Sequence, residues 1–432
     1  MRVVINGLAA LKPKTGVGHH VAELAAALAA GFPGDSFTLY PGDRAGRLLK
    51  RLAAGPSGGG RGSRRAARPP HRPEAAPAAV TDSTGSQRQT LPGSAGASPS
   101  PVRRLRAFIK EVAKSASGAH FAAYTSAFRF DLYHEPNFVP FATRLPTVVT
   151  VHDLSVVRFP EWHPADRVRL HDALFRTRLE RAERVIVVSD AVRAEAVRLL
   201  GIPPTRVVTV HNGISPRFRP HAPAEVEPVR QRLGLPARYF LCVGTIEPRK
   251  NVGTVIRAFA DLPADVRGAC PLVLAGPWGW KADADRELFD RIGKPAGVRH
   301  LGYVPDADLP AVYAGAAGLV YPTRYEGFGL PPAEMLATSG AVLASTDPAV
   351  REVCGRHAEF LDPDDVAGWR DAMHRLATDA DYQRHLAAGG PEHARQFNWP
   401  RAARETMTVY RQVLGQPGPG SGAPRLRARP AA

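Results

Sequence analysis

The stretch YEGFGLPPAEML (325–336) sets two carboxylates, Glu326 and Glu334, with seven residues between them, around a glycine pair and a proline pair. Its apolar approach, LVYP (319–322), reads as a strand that ends where the glycines begin. Pro331 and Pro332 suit the first turn of a helix, where a missing N–H costs nothing. Gly327 and Gly329 allow close backbone approach, so the N–H groups of Gly327, Phe328, Gly329 and Leu330 and the helix dipole would converge on an anion. Phosphate is the natural guest. A carboxylate beside phosphate is repelled, so both glutamates are expected to face hydroxyls, which sugars and ribose supply.

Three further segments have chemistry to offer. GTIEPRKN (244–251) places the cations Arg249 and Lys250 just after an apolar run. Alone, such a pair is solvated surface; after a strand and a glycine it is suited to neutralising a diphosphate. KTGVGHH (14–20) follows the first strand and opens a helix, with Gly16 and Gly18 positioned to let phosphates approach. Two D-x-D strings, Asp283–Asp285 and Asp306–Asp308, invite a metal reading, but both sit in polar stretches away from the glycine loops, and no metal is expected.

These segments need a scaffold. Short β-branched runs alternate with helical periods: 2–7, 36–40, 131–135, 147–153, 184–189 and 206–213, then 239–245, 271–276, 298–304, 317–322 and 341–345. That alternation predicts an α/β fold of mostly parallel sheets covered on both faces. The Pro-rich run at 216–228 reads as a connection between two doubly wound, Rossmann-like domains. Residues 1–218 are expected to form the first and 219–385 the second. Helices over 386–414 would cross back to the first domain, and a disordered tail would follow at 415–432. A ligand cleft is expected between the domains, at the carboxyl ends of the strands.

The formal net charge is +17. Residues 43–106 carry +10 and the tail 415–432 carries +3, so the rest carries only +4. Residues 54–101 have no periodicity and few apolar side chains, and read as a disordered insertion. Residues 102–128 read as an amphipathic helix with a basic face, either packed over the sheet or set against an anionic membrane. A basic nucleic-acid-binding protein is the competing class. It requires basicity on the folded body, and no specific nucleic-acid partner is expected. The three cysteines (Cys242, Cys270, Cys354) form no C-x-x-C pair and suit buried roles in a reducing compartment. No run of about 18 apolar residues is present. A cytoplasmic protein is expected, with peripheral contact at the inner face of the plasma membrane as the sharper variant.

The E-x7-E spacing resembles that of retaining glycosyltransferases of the GT-B fold, specifically glycosyltransferase family 4, and the resemblance covers most of the chain. It implies that Glu326 contacts the donor sugar, that Glu334 binds the nucleotide ribose, and that Gly327–Leu330 surround the diphosphate with Arg249 and Lys250. Some relatives carry arginine where this chain has Thr245, which removes one prong of a cationic clamp. The strand-end TVHD (150–153) is similar to the family's donor-sugar histidine, making His152 the second catalytic candidate. GYVPDADL (302–309) looks like the loop that reads the base, through Tyr303 and Val304. YHEPNF (133–138) is similar to segments of bacterial polysaccharide mannosyl- and rhamnosyltransferases. The activity implied is transfer of a hexose from a nucleotide-diphosphate sugar to a glycan or lipid-linked acceptor, with retained configuration and no cofactor. GDP-mannose is the first choice of donor, with rhamnosyl and glucosyl donors open. A nucleotide-sugar epimerase or a phosphorylase of the same architecture is a third reading, which product analysis separates, since an epimerase needs no acceptor.

Overall fold

The computed structural model describes residues 1–11, 16–42 and 118–416. The insertion at 54–101, residues 102–117 of the expected basic helix, the tail beyond 416, and Lys14 and Thr15 of the first glycine loop lie outside the described residues. Met1–Asp43 and Phe121–Ala432 make one compact unit; of a second, Arg44–His120, only residues 118–120 are described.

The compact unit holds two six-stranded parallel sheets. The first contains β1 (Arg2–Asn6), β2 (Ser36–Tyr40), β3 (Leu132–Glu135), β4 (Thr147–Val151), β5 (Arg184–Val187) and β6 (Val207–Thr209), in the order β2-β1-β3-β4-β5-β6. The second contains β7 (Phe240–Val243), β8 (Leu272–Ala275), β9 (Arg299–Gly302), β10 (Gly318–Tyr321), β11 (Ala341–Ser345) and β12 (Glu359–Leu361). Its order is β12-β11-β10-β7-β8-β9, a doubly wound sheet whose strand order reverses between β7 and β10. The strands are near-continuous apolar runs because helices cover both faces. β4, β8, β10 and β11 are buried at every position.

Two details depart from the sequence reading. The Pro-rich connection at 216–228 runs into a helix, Pro223–Arg232. Pro223 stands in the first turn, and Glu225 bonds back to the Ala222 N–H at 2.9 Å, so the prolines there start a helix rather than prevent one. β12 was not anticipated; it is a three-residue edge strand with no β-branched side chain.

The last helix, Trp399–Val413, packs on the helix Gly16–Gly31, with Trp399, Met407 and Tyr410 joining Val3, Ile5, Leu24 and Leu28 in one apolar cluster. The fully buried His134 ties it to the sheet: Nδ1 lies 2.7 Å from the Tyr410 hydroxyl and Nε2 lies 2.8 Å from Thr150 Oγ1. Burial, and then the charge of His152, pushes its pKa down to about 3, so it serves as a neutral strut. No described helix is long and apolar enough to cross a membrane.

Candidate active site

The reversal of strand order leaves a crevice beyond the carboxyl ends of β7 and β10, and the loops leaving both strands meet there. The β7 loop makes one 3-10 turn at Pro248–Lys250 and ends on Asn251 in the left-handed region (φ 53°). Asn251 Nδ2 donates to the Pro322 carbonyl at 3.0 Å, while the Arg249 carbonyl accepts from Arg324 N at 2.8 Å and Thr323 Oγ1 at 2.9 Å. One backbone and two side-chain donors thus stitch the two loops together through their carbonyls.

Glu326 is the focus of that junction. It is 7% exposed, three side chains donate to its carboxylate and a fourth, Arg249, forms an ion pair with it. Lys250 Nζ lies 2.6 Å away, Arg249 Nη1 2.7 Å, the Tyr321 hydroxyl 2.8 Å and Thr323 Oγ1 2.9 Å. Burial alone would raise the carboxyl pKa. Arg249 and then Lys250 outweigh it and hold the group down near about 2. Burial in turn pulls the Lys250 ammonium below its usual range, against the opposing pull of Glu326. Arg249 also pairs with Glu247 through its Nε. The sequence reading assigned these cations to a diphosphate and Glu326 to a sugar; the structure makes them one buried cluster. The backbone N–H of Glu326 donates to Asp347 Oδ2 at 3.1 Å, while Asp347 Oδ1 caps the helix Pro348–Cys354.

After Glu326 the chain turns into the helix Leu330–Ala337, with Gly329 as its N-cap at φ +100°. The Phe328 ring is buried against Phe397, 5.5 Å between centroids, and Leu330 packs against the same cluster. Their side chains belong to the core, so only their backbone can approach a phosphate. Glu334 is half-buried in the helix, and burial raises its carboxyl to about 7 against the opposing Tyr313 hydroxyl.

The first sheet closes the crevice from the other side. A Cβ on Gly327 would lie 1.8 Å from the His152 carbonyl oxygen, so only glycine permits this approach. The Gly327 carbonyl accepts from Ser189 Oγ at 2.7 Å. The Tyr325 hydroxyl accepts from Leu154 N at 2.8 Å and donates to Glu195 Oε2 at 2.6 Å. Glu326 is therefore flanked on both sides by residues docked on the first sheet's loops. His152, just past β4, directs Nε2 at the Pro136 carbonyl, 2.8 Å away. A carbonyl only accepts, so Nε2 carries the proton and Nδ1 is left as an acceptor in the neutral ring. Burial lowers its pKa and favours that neutral form.

Gly18 is buried in the first turns of the helix Gly16–Gly31, whereas a side chain on Gly16 would meet nothing within 4 Å among the described residues. The neighbouring His19 reaches Asp306 at 3.4 Å, which brings the start of this helix to the loop that follows β9. In that loop Tyr303 is 58% exposed and free to stack, while Val304 is buried in the core and can offer only its backbone. Among the described residues no three His, Cys, Asp or Glu side chains gather as a metal site. Tyr321, Thr323, Tyr325 and Asp347 escaped the sequence reading. Only Asp347 had a signal, an aspartate immediately before Pro348 that reads as a helix cap.

The sequence pattern described as Glycosyltransferase Family 4 matches residues 14–218, and that of Glycosyl transferases group 1 matches residues 225–393. O-antigen chain mannosyltransferase B of Escherichia coli is 37% identical over 281 residues, 65% of this chain and 74% of that protein. The chain belongs to glycosyltransferase family 4. As a member of that family it is a hexosyltransferase, and its two sheets make the GT-B fold. Sucrose-phosphate synthase from Thermosynechococcus elongatus superposes with a TM-score of 0.66 at 20% identity, covering 96% of this chain and 99% of that one. Anabaena Alr3699/HepE in complex with UDP-glucose gives a TM-score of 0.62 at 16% identity, covering 95% and 99%.

Proposed function

We propose that this glycosyltransferase moves mannose from GDP-mannose to a glycan or lipid-linked acceptor in cell-surface polysaccharide synthesis, with retention at the anomeric carbon. The observation that carries the reading is Glu326, a buried carboxylate held between Arg249 and Lys250 at the crevice between the sheets. The identity to an O-antigen mannosyltransferase supports mannose as the sugar.

In this reading the diphosphate lies against Gly327–Leu330, the first turn of the helix Leu330–Ala337 and the two cations. Arg249 has donors beyond those spent on Glu326 and Glu247, and Lys250 has three protons to share. The cations meet the negative charge that grows on the leaving oxygen, so the reading calls for no metal. Glu326 accepts a donor-sugar hydroxyl, and His152 Nδ1 accepts another. Glu334 takes ribose hydroxyls, and Tyr303 with the Val304 backbone takes the base. The anomeric carbon–oxygen bond breaks with its electron pair passing to the diphosphate. The acceptor oxygen bonds that carbon on the same face, and its proton passes to the departing phosphate oxygen. The basic residues at 102–114 would supply peripheral contact with an anionic membrane.

A donor panel tests the assignment. Purified protein incubated with GDP-mannose, dTDP-rhamnose and UDP-glucose is expected to release nucleotide at least about tenfold faster from GDP-mannose, the net worth of one hydrogen bond. Faster release from either of the others would replace mannose as the donor sugar.

A further inference from the structure

His163 is 3% exposed, and neither ring nitrogen has a hydrogen-bond partner among the described residues. Leaving both nitrogens of a buried imidazole unmatched is costly. The nearby backbone carbonyls are turned to other donors. Pro160 O accepts from His163 N at 3.1 Å, Trp162 O accepts from Trp280 Nε1 at 3.0 Å, and Glu161 O accepts from Lys281 Nζ. A structural role for this imidazole is thus missing from its own surroundings.

Those surroundings suit a carbohydrate. Trp162 stacks on Phe159 at 4.0 Å, with the planes 14° apart, and Phe159 meets Tyr325 edge-on at 5.5 Å. Trp280 lies 6.1 Å from the His163 ring, with the Arg167 guanidinium 4.5 Å over its own face. Aromatic faces take the C–H faces of sugars, and a neutral imidazole can accept from one hydroxyl while donating to another. Burial first, and Arg167 next, push the His163 pKa down and keep the ring neutral. Tyr325, which Phe159 meets, immediately precedes Glu326, so this aromatic wall adjoins the loop that carries the candidate catalytic carboxylate.

Taking glycosyl transfer as the reaction, we propose that His163 binds a hydroxyl of the acceptor glycan and, with Trp162 and Trp280, forms an acceptor subsite. The donor sugar already has Glu326 and His152, and His163 is presented by the first sheet's side of the crevice. Its neutrality and aromatic wall fit a sugar hydroxyl and not a phosphate.

Calorimetric titration of the full chain, with GDP present, by an α-mannotriose and separately by a chitotriose tests this. One of the two is expected to bind. His163→Ala should weaken that binding about tenfold or more, while His163→Gln, which can still donate and accept, should stay within about threefold. GDP affinity should be unchanged in both. Equal glycan binding by His163→Ala, parallel loss of GDP affinity, or no binding of either glycan to the unaltered chain would overturn the subsite. GDP-mannose cleavage on the same samples reads the donor assignment separately: glycan binding through His163 with GDP-mannose left intact would sink that assignment alone.

Discussion

Glu326→Gln is expected to lower the transfer rate about 10²–10³-fold, the cost of removing one preorganised electrostatic partner at a reacting centre. It should also destabilise the fold by about 3 kcal/mol, because Arg249 and Lys250 are buried cations that would lose their shared counter-charge. Nucleotide affinity should hold or rise, since the diphosphate then supplies the anion both cations lack. The pH dependence follows from the depressed carboxyl. Its stabilisation is complete above the ordinary value of 4.5 and is lost as pH falls toward about 2. The stability gap between the two proteins should therefore be full at neutral pH and close in acid. Nucleotide affinity falling in step with the rate would instead make Glu326 a diphosphate or folding residue.

Gly327→Ala should be nearly as damaging without touching a charge. The added methyl would meet the His152 carbonyl oxygen at 1.8 Å, and a backbone atom cannot step aside as a side chain can. The loop must lift from the first sheet, taking the Ser189 bond and the position of Glu326 with it. A displacement of about 1 Å at a reacting group costs on the order of 10²-fold in rate. Gly268→Ala, in the helix Ala264–Ala269, is the matched control, because its methyl would meet nothing within 4 Å among the described residues. Steady-state kinetics on both variants, with circular dichroism to verify folding, should show a large loss for Gly327→Ala and little for Gly268→Ala. Equal rates for the two would detach the approach of the sheets from catalysis.

Much of this architecture was legible in the sequence because glycine and proline punctuate it. Gly327, Gly329, Pro331 and Pro332 marked the turn from β10 into its helix, and β2 and β11 coincide with the runs that predicted them. The same punctuation misled at 216–228, where a proline cluster reads equally as linker or helix start. β12 escaped because three residues at a sheet edge carry almost no periodic signal. The ion cluster was hidden for a different reason. Lys250 and Glu326 lie 76 residues apart and meet only because β7 and β10 are neighbours in the sheet. Strand order cannot be read from periodicity, so each charge was assigned to a ligand and not to the other. Tyr321 and Thr323 looked like an ordinary strand end, although their hydroxyls complete the shell around Glu326. Phe328 divides its roles: its N–H stays in the glycine loop, where the sequence placed it, while its ring is core, which the loop's composition did not signal.

The stereochemistry of the product tests the central claim most directly. Proton NMR of the glycan formed from α-configured GDP-mannose, recorded during the first turnovers, distinguishes the two faces of attack. Same-face substitution at a crevice with no enzyme nucleophile on the sugar predicts an α-mannosidic product from the start. A β-linked first product would contradict the roles given to Glu326, Arg249 and Lys250.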